Sequence, residues 1–217
     1  MNKYLNKVTC CDCLAGMRDL PDGCVDMILI DPPYGINMAK RGIIGNAGLA
    51  QPKNYIKSDW DKAIPSKEYF NEIFRISKNQ IIFGGNYFVE YLPNSPCWIV
   101  WDKDNSGNYA DAELLYTSFK TAVRIYKWRW NGMLQQDMKN KETRYHPTQK
   151  PVGLLKKIIQ DYTKEGCIIC DPFIGSGTTA VAAIETGRQY IGMELSEEYC
   201  DIAEKRIEKA MLQRQLF

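Results

Sequence analysis

The chain has 217 residues, 45% of them hydrophobic and 25% charged, with a formal net charge of +2. That length supports one sizeable core, so a single domain over 1–217 is expected. No apolar run reaches the roughly 18 residues of a membrane span and residues 1–7 hold no signal-peptide core, so the expectation is a cytoplasmic protein with no membrane partner.

Residues 7–11 read as a short strand and 14–19 as a helical turn. Residues 25–30, Val-Asp-Met-Ile-Leu-Ile, read as a buried strand of a parallel sheet. Pro32 and Pro33 cannot continue a hydrogen-bonded ladder, so the strand must end there. Asp31 and Tyr34 are thereby left at the carboxyl end of a central strand, where open α/β sheets bind ligands. Asp31 and the Pro32 carbonyl can accept hydrogen bonds from an amino group, and Tyr34 can stack on a flat ring. Asp31, Pro32, Pro33 and Tyr34 together suit a planar aromatic amine that must become a nucleophile. Residues 36–62 hold several glycines and no steady period. A loop of that length is rarely inert in a compact domain, and because it begins at the site it reads as a mobile lid or a substrate-contacting loop.

A helix is expected over 66–78, capped by Ser66, then a strand at 80–83, a helix over 86–91 and strands at 97–101 and 112–119. Residues 120–157 carry ten Lys or Arg against Asp137 and Glu142, a net +8, which leaves −6 on the rest of the chain. Lys120, Arg124, Lys127, Arg129, Lys139, Lys141 and Arg144 alternate there with Tyr126, Trp128, Trp130 and Tyr145. Cations among aromatics suit a phosphate backbone and base stacking, so 120–145 reads as a nucleic-acid segment, with a merely solvated basic face as the alternative.

Residues 152–163 read as a helix. Cys167–Cys170 reads as a strand running into Asp171-Pro172-Phe173-Ile174-Gly175-Ser176-Gly177-Thr178-Thr179, a glycine turn that opens a helix over 180–184. A further strand ends at Glu194, 17 residues past Gly177 (194 − 177), the spacing at which an acid commonly binds ribose hydroxyls. A helix over 196–212 closes the chain, packing Tyr199, Ile202 and Ile207 on one side. Strands alternating with helices predict a doubly wound, mostly parallel α/β sheet whose strand order departs from chain order. Cys167 and Cys170, three apart in a strand, face opposite sides. They are expected to be buried thiols, and no metal site is expected.

Asp31–Tyr34 and Asp171–Gly177 together resemble the catalytic and cofactor motifs of the amino-type (N6-adenine/N4-cytosine) DNA methyltransferases. Their order resembles the permuted β group of that family. His146-Pro147-Thr148-Gln149-Lys150-Pro151 and Cys11–Met17 resemble two further family segments, so the resemblance covers nearly the whole chain. It implies the S-adenosylmethionine-dependent methyltransferase fold and S-adenosylmethionine as cofactor. Asp171, Phe173, Gly175, Ser176, Gly177 and Thr178 would line the cofactor and Glu194 would hold its ribose. Asp12 would lie near the adenine moiety and Lys150 near the methionine carboxylate. The implied partner is duplex DNA with a flipped target base. Aspartate at 31 resembles the adenine-N6 enzymes; N4 of cytosine, or an RNA or protein amine, are the alternatives. Only about 26 residues separate strand 112–119 from His146, where relatives often carry a longer recognition insert. Selectivity would then rest on a short site, on the 36–62 loop, or on the second subunit of a homodimer. A cognate restriction nuclease is a further partner that the resemblance admits.

Overall fold

A computed structural model of the chain describes residues 1–36, 43–44, 53–54, 64–105, 110–131, 134–146 and 148–215. In chain order come strand β1 (Lys7–Cys10), helix α1 (Cys13–Arg18), β2 (Val25–Ile30) and the two-residue strands β3 (Ile43–Ile44) and β4 (Lys53–Asn54). Next are α2 (Lys67–Ile76), β5 (Ser77–Phe83), a 3₁₀ turn (Gly85–Tyr87), β6 (Trp98–Asp102) and β7 (Ala112–Thr117). β8 (Arg124–Lys127), β9 (Trp130–Asn131) and β10 (Leu134–Gln135) follow. The chain closes with α3 (Val152–Tyr162), β11 (Ile168–Asp171), α4 (Thr178–Glu185), β12 (Gln189–Glu194) and α5 (Glu197–Gln215).

One eight-stranded sheet runs in the order β1-β12-β11-β2-β5-β7-β6-β8. It is parallel except for β7, which pairs antiparallel with β5 and β6. The expected α/β fold is therefore present. Strand β2 is a continuous apolar run because helices cover both of its faces. Met27 and Leu29 join the cluster under α3, α4 and α5, while Ile28 and Ile30 join the one under α1 and α2. The exception, Asp26, accepts from the Ile168 amide at 2.9 Å and pairs with Lys78 at 2.7 Å. Helix α4 is wedged between α3 and α5, so its run Thr178–Ile184 is buried on every side and built from small and branched residues.

From β11 the chain passes through α4 to β12 on one side; from β2 it passes through α2 to β5 on the other. The adjacent pair β11 and β2 is therefore the point where the winding reverses, and a crevice opens outside their carboxyl ends. The register Cys170↔Ile28 sets Asp171 and Asp31 on the same edge although 140 residues apart (171 − 31).

Two local expectations are corrected. The helix expected over 66–78 ends at Ile76, because Ser77 turns extended and β5 pairs with the whole of β2, from Val25↔Ser77 to Ile30↔Ile82. The helix expected over 86–91 is a single 3₁₀ turn: Gly84 sits at φ +64°, and Phe88 drops into the core against Phe70. Within the segment 120–145, β8 adds an edge strand parallel to β6 and β9 pairs with β10. Apart from β3, β4 and residue 36, the loop expected over 36–62 lies outside the described residues. Among the described residues no helix is long and apolar enough to cross a membrane, and no group of three His, Cys, Asp or Glu is placed to hold a metal.

Candidate active site

A cleft of about 790 Å³ opens at the switch point, a volume suited to a nucleoside-sized ligand. Asp31, Pro33, Asp12, Lys150, Asp171, Phe173, Gly175, Ser176, Thr178 and Glu194 all line it. Pro32, Tyr34 and Gly177 do not line it: Tyr34 sits behind Asp31, and Gly177 caps the N-terminus of α4.

One end of the cleft is a cluster of charges. Asp31 keeps 23% of its side chain exposed, so a ligand can reach it. Its Oδ1 accepts from the Tyr34 hydroxyl at 2.5 Å and its Oδ2 pairs with Lys150 Nζ at 2.8 Å. Glu113, from β7, takes the same two donors on Oε1, each at 3.2 Å, and Lys103 Nζ stands 3.4 Å from its Oε2. Burial raises the Asp31 carboxyl above its ordinary value; Lys150 opposes and Glu113 adds to the rise. Burial also works against ionisation of Glu113, but Lys150 and Lys103 outweigh it and hold that group low. Lys150 loses solvation too, yet the two carboxylates keep it raised and therefore cationic. Tyr34 is pushed well up, first by burial and then by Asp31 and Glu113, so it remains a donor. The Tyr34 ring stacks on Tyr87, with centroids 4.7 Å apart, and rests on Gly84.

Sequence reasoning missed Glu113, Lys103 and Gly84. The one available signal was an acid at the second position of the otherwise largely apolar strand 112–117. For Lys150, the structure places the ammonium between two carboxylates of the chain itself, a setting the resemblance did not anticipate.

The other end of the cleft is built from backbone. Glu194 accepts from the Gly175 amide on Oε2 and from the Ser196 amide on Oε1, both at 2.9 Å, which ties the glycine turn to β12. A Cβ on Gly175, at φ +50°, would meet nothing within 4 Å: the turn presents bare backbone to the cleft. Asp171 accepts from Thr179 Oγ1 at 2.6 Å and from the Phe173 amide at 3.0 Å, and burial raises its carboxyl to about 7. Asp12 caps α1 through the Ala15 amide at 2.9 Å. Behind the turn, Arg206 of α5 donates to the Ser176 carbonyl at 2.5 Å and to Thr178 Oγ1 at 3.1 Å. His146, half-buried and near Lys150, is lowered to about 4 and stays neutral. An apolar cleft with an open glycine turn, a helix N-terminus and an acid across from them fits S-adenosylmethionine.

A family profile for DNA methylases matches residues 103–205. The type II methyltransferase M2.DpnII of Streptococcus pneumoniae is 32% identical over 85% of this chain and 82% of its own length. The chain belongs to the amino-type DNA methyltransferases. The type II methyltransferase M.HinfI of Haemophilus influenzae is 28% identical over 95% of this chain and 69% of its own length. Among solved structures, a DNA modification methylase of Thermus thermophilus in complex with S-adenosyl-L-methionine superposes with a TM-score of 0.60 at 16% identity, covering 95% of this chain and 96% of the other. The cytosine-N4-specific PvuII methyltransferase reaches 0.61 at 14% identity, over 94% and 89%. These two show a shared fold. As a member of its family, this DNA methyltransferase uses S-adenosylmethionine.

The methyltransferase spreads its basic segment unevenly. Lys120, Arg124, Lys139 and Lys141 are exposed. Lys127 and Arg129 both pair with Asp104, while Arg144 lies over the Trp130 ring at 4.2 Å. The aromatics expected to stack on bases are largely committed elsewhere. Tyr126, Trp128 and Trp130 pack against the core, Tyr126 donates to Asp161 and Trp130 Nε1 to the Gln149 carbonyl. These rings were read as exposed because their charged neighbours hid a burial that distant segments supply. Tyr145 is 41% exposed, with Arg206 over its ring.

Proposed function

We propose that this DNA methyltransferase modifies the N6 amino group of adenine in duplex DNA, with Asp31 and the Pro32 carbonyl accepting the two N–H bonds of a flipped base. The observation that carries this reading is the exposed edge of Asp31 in the same cleft as Gly175 and Glu194. When bound, S-adenosylmethionine supplies a methyl group on a positively charged sulfur. The adenine amine is a weak nucleophile because its lone pair is delocalised into the ring. Two acceptors at its hydrogens favour a pyramidal nitrogen and stabilise the charge that grows there, an interaction made mostly in the transition state. The N–C bond would form as the C–S bond breaks, leaving a neutral thioether, and the methylated nitrogen would then lose one proton to water. Asp31 must be ionised to act, so its raised carboxyl predicts an acid limb in the rate above the ordinary carboxylate range. Phe173 and Gly175 would bound the cofactor and Glu194 its ribose. A base inside the duplex cannot reach the cleft, so flipping is part of the reading.

Aspartate at 31 supports adenine, and one relative, 29% identical over 92% of this chain, is an Escherichia coli protein named as a DNA adenine methyltransferase. The type II names of the relatives support a restriction–modification role with a partner nuclease. The short recognition segment supports a homodimer on DNA, which sedimentation with a duplex would reveal. Nucleoside mass spectrometry of treated, unmethylated DNA decides the chemistry. N6-methyladenine is expected; N4-methylcytosine alone would transfer the reading to cytosine, and no methylated base on DNA of varied sequence would overturn it.

A further inference from the structure

Glu113 touches both partners of Asp31. Its Oε1 lies 3.2 Å from the Tyr34 hydroxyl and 3.2 Å from Lys150 Nζ, while Asp31 holds the same two groups at 2.5 and 2.8 Å. A phenol has one proton and can donate to one carboxylate at a time, whereas an ammonium has three and can serve both. In the free enzyme the Tyr34 proton is spent on Asp31 Oδ1, one of the two oxygens available to an incoming amine. Glu113 is the second acceptor already within reach. It also balances charge: Asp31 and Glu113 against Lys150 and Lys103 sum to zero, and without Glu113 the corner would be +1 beside a nitrogen that becomes cationic.

We propose that Glu113 is a positioning residue for methyl transfer: it takes over the Tyr34 hydroxyl when the target amine reaches Asp31, and it holds the Lys150 ammonium away from that amine. The inference rests on Asp31 being the amine acceptor. The groups that face Asp31 are Tyr34 from the turn after β2, Glu113 from β7, Lys150 from the segment before α3 and Asp171 at the end of β11; Lys103 acts through Glu113 and His146 through Lys150. The Glu113 carboxylate is one of the influences that raise Asp31.

The test is Glu113→Gln, which keeps the shape and one acceptor oxygen, turns the other into a donor and removes the charge. Turnover should fall about 10- to 100-fold, the worth of one hydrogen bond to a charged group. Affinity for S-adenosylhomocysteine, read by calorimetry, should stay close to wild type, because Glu113 lies outside the cleft lining. The acid limb of the rate should move to lower pH, and a carboxyl ¹³C NMR titration should show Asp31 moving the same way in the free protein. Unchanged turnover, an unmoved Asp31 titration, or loss of S-adenosylhomocysteine binding in step with turnover would each overturn the proposal. Should the glutamine variant not fold, Glu113→Asp keeps the charge and shortens the reach; it should lose turnover with Asp31 titrating nearly as before, and full turnover in it would overturn the proposal. A wild-type protein that methylates no DNA would remove Asp31's assigned role instead, and the Asp31 titration, which needs no substrate, would still judge the electrostatic part.

Discussion

Gly84→Ala should be among the most damaging single-methyl additions to this fold. Gly84 sits at φ +64°, where a residue with a Cβ loses about 1–2 kcal/mol. Its new Cβ would lie 2.4 Å from Tyr34 Cε1 and 2.5 Å from Cζ, inside any real contact distance. The ring cannot easily retreat: it is stacked on Tyr87 at an interplanar angle of 12°, and its hydroxyl is bonded to Asp31. Forcing such a contact costs about 1–3 kcal/mol. The total is about 2–5 kcal/mol, and at about 2–4 °C per kcal/mol for a domain of this size Tm should fall by about 4–20 °C. Turnover should fall further than affinity for S-adenosylhomocysteine, because the displaced ring drags the donor to Asp31. A double-mutant cycle isolates the cause. In a Tyr34→Ala background only the backbone cost of about 1–2 kcal/mol should remain. Urea unfolding of the four proteins measures this. A cost under about 1 kcal/mol, or an equal cost in both backgrounds, would refute the reasoning.

Asp31→Ala should cut turnover by about 10²–10³ or more while S-adenosylhomocysteine binds within a few-fold; Glu194→Ala, which also frees the Gly175 and Ser196 amides, should weaken that binding first, and calorimetry separates the two. The buried Asp171 carboxyl, raised to about 7 in the fold, holds a proton that the unfolded chain gives up near pH 4. Its contribution to stability is therefore present at low pH and drains away as pH rises from about 4 to about 7, by up to about 4 kcal/mol. Asp171→Asn should flatten that fall in urea titrations across the window, and parallel curves for the two proteins would be evidence against it. Changing Lys120, Arg124, Lys139 and Lys141 together to alanine should flatten the slope of log affinity against log salt by about 3–4 units if all four meet phosphate. An unchanged slope would move the footprint to Lys40, Arg41, Lys53 and Lys57. Asp104→Ala frees Lys127 and Arg129 and should steepen the slope instead.

Much of the site could be read from local pattern. An apolar run without alternation is a strand covered on both faces, and two prolines end it, so Asp31 had to stand at a strand's carboxyl edge. The turn Gly175–Gly177 between a strand and a helix, with Glu194 one strand later, was legible for the same reason: backbone conformation and burial period are properties of short stretches. Which groups face one another across the cleft is decided by the packing of distant stretches. Glu113 meets Tyr34 across 79 residues and Lys150 meets Glu113 across 37, contacts that exist because β7 turns antiparallel beside β5 and the segment before α3 crosses above it. Asp104 pairing with two cations expected on DNA, and the packing of Trp128 on Gly153 and of Trp130 on Gln149, have the same origin. Periodicity reports that a side chain is buried or exposed, but only the tertiary structure supplies its partner. For an ionisable group the partner sets charge, and hence chemistry.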